Sequence, residues 1–151
     1  MSEDQISDAE EARLSETVRI ARDLIRFDTS NRGGGDANAE AEAAAYVAEF
    51  LRGLGLDPRT IESAPGRASV VARVAGADPS LPALVLHGHL DVVPADPAHW
   101  SVDPFAGVIR DGMLWGRGAV DMKDMDAMIL TAIAELLRAG ERPRRDVILA
   151  F

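Results

Sequence analysis

The feature that most restricts the possible folds is a long amphipathic helix pattern followed at once by an apolar strand pattern. Seven apolar residues recur at helical spacing and form one continuous face: Met125, Met128, Ile129, Ala132, Ile133, Leu136 and Leu137. We therefore predict that all seven, including both methionines, lie in the core. Gly140 is suited to end the helix, and the run over 146–151 predicts a buried strand.

The first third of the chain predicts two more helices. Ser7 followed by Glu10 forms a capping-box pattern, and apolar residues then recur at helical spacing at Leu14, Val18, Ala21, Leu24 and Ile25. This helix should end between Phe27 and Asn31, before three consecutive glycines. A second helix is expected from Asp36 to Arg52, with an apolar stripe at Ala43, Val47, Phe50, Leu51 and Leu54.

Short strand patterns fill the middle of the chain, at 59–62, 68–74 and 83–86. The third is compact and apolar, which suits a strand buried on both faces. A loop over 94–107 precedes a hairpin over 108–115, for which Asp111-Gly112 is a strong turn signal. This succession predicts an α/β fold, with a mixed sheet flanked by helices.

Composition narrows the chemistry. The 151 residues include 16 Lys and Arg, 25 Asp and Glu, and no Cys, so the net charge is −9. Disulfides, cysteine-bound zinc and thiol nucleophiles are excluded, and any metal must be held by His, Asp or Glu. The acidic balance argues against nucleic acid as a partner. No apolar run approaches a membrane span, and the acidic N-terminus is unlike a secretory signal, so we expect a cytoplasmic protein without a membrane partner.

The segment HGHLDVVP, over 87–94, carries the first candidate residues. Side chains two apart on an extended segment point the same way, so His89 and Asp91 are expected to share one site. One interpretation is a surface pair or a hydrogen bond at the end of a strand. The other is a metal bound by His89, with Asp91 accepting the other ring N–H and fixing the tautomer. His87 should point away as a structural residue, and His99 should be exposed.

The segment WGRGAVDMKD, over 115–124, carries the second candidate, Asp121, at the mouth of the long helix. An aspartate there can cap the helix and favour its dipole. A phosphate loop is excluded because the required G-x-x-x-x-G-K-S/T pattern is absent. Lys123 and Asp124 are expected in the first helical turn.

Taken together, HGHLDVVP, HWSVDPF and WGRGAVDMKD, leading into a Met-rich helix, resemble one family from about Leu84 to Ala139. This is the co-catalytic di-zinc peptidase and amidohydrolase family of glutamate carboxypeptidase, aminoacylase, acetylornithine deacetylase and succinyl-diaminopimelate desuccinylase. The resemblance implies that His89 binds one zinc, that Asp121 bridges two, and that Asp91 is a catalytic-site residue which orients His89. It also implies a cis peptide bond after Asp121. Cobalt or manganese would suit the same ligands.

The resemblance further implies metal-dependent hydrolysis of an amide or peptide bond in a small peptide or N-acyl amino acid. Residues 1–151 would be the N-terminal portion of the catalytic, metal-binding domain. The general base, the remaining ligands, the C-terminal part and a lid domain that permits homodimerisation would follow Phe151, so we expect this chain alone to be inactive. One alternative is a non-catalytic interaction module that uses a free sheet edge. Another is a mononuclear metal or nucleotide binder.

Overall fold

The computed structural model describes residues 14–35, 37–38 and 40–151. Its α-helices are α1 (Glu16–Ile25), α2 (Ala41–Gly53) and α3 (Lys123–Arg138), with a short 3₁₀ helix at Pro97–His99. Its strands are β1 (Arg59–Ala64), β2 (Arg67–Val74), β3 (Leu84–His87), β4 (Val108–Arg110), β5 (Met113–Trp115) and β6 (Val147–Ala150). None of the helices in these residues is long and apolar enough to cross a membrane.

Four strands form one mixed sheet in the order β1-β2-β6-β3, which confirms the predicted fold class. β1, β2 and β6 pair antiparallel, whereas β3 and β6 run parallel, with Leu86 opposite Leu149. Helix α2 packs on β2, and α1 packs on α3. The core between these elements includes Leu24, Val47, Leu51, Val70, Leu130 and Leu149. The strands β4 and β5 form the predicted hairpin, with positive φ at Asp111 and Gly112.

The second helix begins later than predicted, whereas the predicted start of the first helix lies among residues that the structure does not describe. Helix α1 begins at Glu16, and the hydroxyl of its N-cap residue Ser15 accepts a hydrogen bond from the Val18 N–H. The predicted cap, Ser7 with Glu10, lies outside the described residues. Helix α2 begins at Ala41 rather than at Asp36, which is itself not described. The cause is backbone pairing with the preceding segment: the Asn38 N–H donates to the Ser30 carbonyl, and Ala37 forms a β-bridge with Asn31, so residues 37–38 are not helical.

Two burial predictions are wrong. The strand predicted at 83–86 is not buried on both faces, because β3 lies at the edge of the sheet and leaves Leu84 46% and Val85 55% exposed. Three of the seven apolar residues of helix α3 that were predicted in the core are exposed: Met125 and Met128, each 44% exposed, and Ala132. Helix α3 is rotated from the expected orientation, and its buried face consists of Lys123, Asp126, Ala127, Leu130, Thr131, Ile133 and Ala134.

Candidate metal site

The end of strand β3 leads directly into the first candidate segment. Buried Leu90 and Val92 alternate there with His89 and Asp91, so the polar pair shares the opposite side. Two contacts with Thr29 fix the backbone: its hydroxyl donates to the Leu90 carbonyl at 2.6 Å, and its carbonyl accepts from the Val92 N–H at 3.1 Å. His89 and Asp91 are therefore held by the loop that follows α1.

The second candidate segment connects β5 to α3 and carries Asp121, whose side chain is 85% exposed. The Asp121–Met122 peptide bond is cis, as the resemblance implied. Lys123 begins α3 and is fully buried, with its ammonium donating to the carbonyls of Leu24 and Phe27 at 2.8 Å each. Burial lowers the pKa of Lys123 to about 8. These two hydrogen bonds join the end of α1 to the residues that follow Asp121.

His89 and Asp121, 32 positions apart in the sequence, are brought together at this site. The distance from His89 Nε2 to Asp121 Oδ1 is 3.2 Å. Two ligand atoms bound about 2.0–2.2 Å from one tetrahedral zinc ion lie about 3.3–3.6 Å apart, a separation only slightly longer than the observed one. The two side chains consequently have a separation that suits common ligation of one cation.

Asp91 occupies the other side of the imidazole ring. His89 Nδ1 lies 2.9 Å from the Asp91 carbonyl oxygen and 3.3 Å from its carboxylate oxygen Oδ1. The other carboxylate oxygen accepts a hydrogen bond from Asn31 Nδ2 at 2.8 Å. A proton on Nδ1 therefore faces Asp91, and this tautomer leaves the Nε2 lone pair directed at Asp121.

The acidic neighbours also set the charge of the His89 imidazole. Partial burial lowers the pKa of His89, but the hydrogen bond to the Asp91 carbonyl and the interactions with both carboxylates outweigh it, and the net pKa is raised. An imidazolium here lies between two carboxylates. A divalent cation that binds Nε2 must displace that proton.

The other histidines lie apart from this pair. His87 is exposed at the end of β3. His99 is also exposed, and its Nδ1 atom lies 3.4 Å from Oδ2 of Asp96. In residues 14–35, 37–38 and 40–151, no group of three or more His, Cys, Asp or Glu side chains is placed to hold a metal ion. The described residues thus supply a pair of candidate ligands and one orienting carboxylate.

One residue near the site was missed by the sequence reasoning. Asp126 is fully buried in the first turn of α3, and neither carboxylate oxygen has a hydrogen-bond partner. Burial raises the pKa of Asp126 to about 7, against opposing contributions from His89 and Lys123. Hydrophobic periodicity could not predict the burial of Asp126, because it assigns only apolar residues to the buried face of a helix.

Comparison with known proteins gives consistent matches. The sequence profile of peptidase family M20/M25/M40 matches residues 85–151. Aminoacylase-1 of Sus scrofa is 38% identical over 110 residues, which make up 72% of this chain and 27% of that protein. A succinyl-diaminopimelate desuccinylase of Gluconacetobacter diazotrophicus is 38% identical over 132 residues, 87% of this chain and 33% of that protein.

A solved structure agrees with these matches. An M20 family metallo-carboxypeptidase from Sulfolobus solfataricus superposes with a TM-score of 0.74 at 27% identity, over 91% of this chain and 30% of that one. The chain spans about a third of the length of the relatives it matches.

Proposed function

We propose that this chain is part of a member of peptidase family M20/M25/M40, and that a protein containing it hydrolyses an amide or peptide bond with the help of divalent metal ions. The observation that carries the proposal is the 3.2 Å separation of His89 Nε2 and Asp121 Oδ1. One nitrogen donor and one oxygen donor at that separation suit zinc, and cobalt and manganese accept the same types of donor.

Each residue of the site has a distinct proposed role. His89 would hold a metal ion through Nε2, and the exposed carboxylate of Asp121, which has two oxygens, would be available as a ligand to two ions. Asp91 holds the His89 ring in the required tautomer, and Asn31 fixes Asp91 through the 2.8 Å hydrogen bond. When bound, zinc supplies a Lewis acid that polarises a substrate carbonyl and lowers the pKa of a coordinated water.

The proposed substrate class is a small peptide or an N-acyl amino acid. It is supported by the names of the relatives, which include an aminoacylase, a desuccinylase and a metallo-carboxypeptidase. Each of these proteins is about three times as long as this chain.

The metal site can be tested with cobalt(II) as the probe, because the chain has only three histidines. Paramagnetic cobalt(II) should selectively broaden the imidazole NMR signals of His89, while those of exposed His99 stay sharp. His89→Ala and Asp121→Asn should each weaken cobalt binding, whereas the control His99→Ala should leave it unchanged. Equal broadening of His89 and His99 would contradict the proposed site.

We also propose that residues 1–151 alone do not hydrolyse amides. Among the described residues, no group of three or more His, Asp or Glu side chains is placed to hold a metal ion, and the family resemblance assigns the general base to residues after Phe151. The chain supplemented with zinc should therefore give no turnover of N-acyl amino acids or dipeptides. Turnover that is abolished by His89→Ala would overturn this proposal.

A second candidate function is a non-catalytic interaction module. It is favoured by strand β3, which within the described part of the chain pairs with β6 alone and exposes Leu84 and Val85 at the edge of the sheet. An exposed apolar edge strand is a template for pairing with another chain. A defined dimer that is disrupted by Val85→Lys in light scattering would favour this function, and a monomer would oppose it.

A further inference from the structure

The burial of the Asp126 carboxylate is unfavourable, and no hydrogen bond among the described residues compensates for it. Its side chain is fully buried, and both carboxylate oxygens lack a hydrogen-bond partner. A buried carboxylate without donors is costly, so native proteins rarely retain one without a compensating cation or a role. The residue is also outside the set of ligands proposed above.

The position of Asp126 is fixed by Gly88, the residue before His89. A Cβ atom added to Gly88 would lie 1.8 Å from Asp126 Oδ1 and 3.0 Å from its Cγ. The carboxylate therefore occupies the space that any other residue at position 88 would need. Asp126 is packed directly against the backbone that carries His89.

The charged groups around Asp126 do not neutralise it by direct contact. The Lys123 ammonium interacts with it electrostatically, but that ammonium donates its hydrogen bonds to the carbonyls of Leu24 and Phe27. Asp124, in the same helical turn, adds a like charge, whereas His89 contributes an opposing one. The negative charge of Asp126 is consequently available to interact with a cation held by His89.

We propose that Asp126 is a positioning residue of the cation site, whose buried carboxylate, packed against Gly88 next to His89 in the sequence, strengthens divalent-cation binding at His89 and Asp121. The inference rests on the proposed function, because it requires a cation at those two residues. A charge in a poorly solvated position acts more strongly on a nearby cation than one exposed to water. Burial of the Asp126 charge lowers the stability of the metal-free fold, and the same charge strengthens the binding of a cation.

The test compares Asp126→Asn with Asp124→Asn, which removes the same charge from a more exposed position in the same turn. Cobalt(II) binding is measured at pH 8 from the broadening of the His89 signals. Asp126→Asn should raise the dissociation constant by about tenfold, because the variant loses a poorly solvated negative charge that attracts the cation. Asp124→Asn should change it less than about twofold, because solvent screens exposed charges.

Thermal unfolding without metal supplies the second measurement. Asp126→Asn should raise Tm by about 5 °C at pH 8, since the unpaired charge is removed. A lowered Tm with unchanged cobalt binding would show a purely structural role and overturn the inference. Should Asp126→Asn misfold, Asp126→Ala provides the same comparison.

The two proposals fail in different ways. Cobalt binding that depends on His89 but is equal in wild type and Asp126→Asn overturns the role of Asp126 alone. Absence of any His89-dependent binding in the wild-type chain overturns the metal site, and the role of Asp126 with it.

Discussion

The replacement Asp126→Asn has a pH-dependent effect on stability that can be worked out from the structure. The carboxyl group is fully buried without hydrogen-bond donors, and its pKa rises from 3.8 to about 7. Such a rise corresponds to about 4 kcal/mol of destabilisation when the group is ionised in the folded state. Asparagine has nearly the same shape and does not titrate, so the substitution isolates this contribution.

The sign follows from proton binding. Between pH 3.8 and about 7 the folded chain holds a proton on Asp126 that the unfolded chain has lost. The free energy of unfolding contributed by Asp126 therefore falls as pH rises through this window, and the loss is complete above the folded-state pKa. The Asp126→Asn variant lacks this fall, and its advantage over wild type should grow by about 2 kcal/mol between pH 5.5 and pH 8.

Urea unfolding of both proteins, followed by circular dichroism at half-unit pH intervals, measures this difference. The lower limit of pH 5.5 keeps the chain away from its isoelectric point near 4.7. The amide introduced by Asp126→Asn would itself be buried without partners, at a cost of about 1–3 kcal/mol that does not depend on pH. A constant difference between the two proteins across this range would show that the carboxyl group has an ordinary pKa, and would refute the reasoning.

The contacts around the site support three further predictions. Gly88→Ala should lower the free energy of unfolding by about 1–3 kcal/mol, because the added Cβ clashes with Asp126 Oδ1. The loss should be smaller in an Asp126→Ala background, and equal losses in both backgrounds by urea unfolding would contradict this prediction. Lys123→Met should lower the free energy of unfolding by about 1–3 kcal/mol, because the Leu24 and Phe27 carbonyls lose buried donors; an unchanged midpoint would count against this. Cobalt binding should strengthen as pH rises from 6 to 8, since the raised pKa of His89 favours the competing proton; binding independent of pH would exclude ligation by His89.

Local sequence patterns were sufficient for the succession of elements and for one half of the site. The strand β2, the β4–β5 hairpin, helix α3 and strand β6 were predicted close to their observed positions, because each depends on residues near in sequence. The shared side of His89 and Asp91 follows from strand-like alternation alone. Where backbone pairing with a preceding segment competed with helix propensity, as at the start of α2, the predicted boundary was wrong.

Tertiary structure decided the rest. The approach of His89 to Asp121 spans 32 positions, and no local spacing specifies it. The rotation of α3 buries Lys123 and Asp126 and exposes Met125 and Met128. It depends on the Leu24 and Phe27 carbonyls, which accept hydrogen bonds from the Lys123 ammonium, and on the space beside Gly88. Side-chain periodicity records hydrophobicity along one element, whereas the burial of a charge depends on partners and space supplied by other elements.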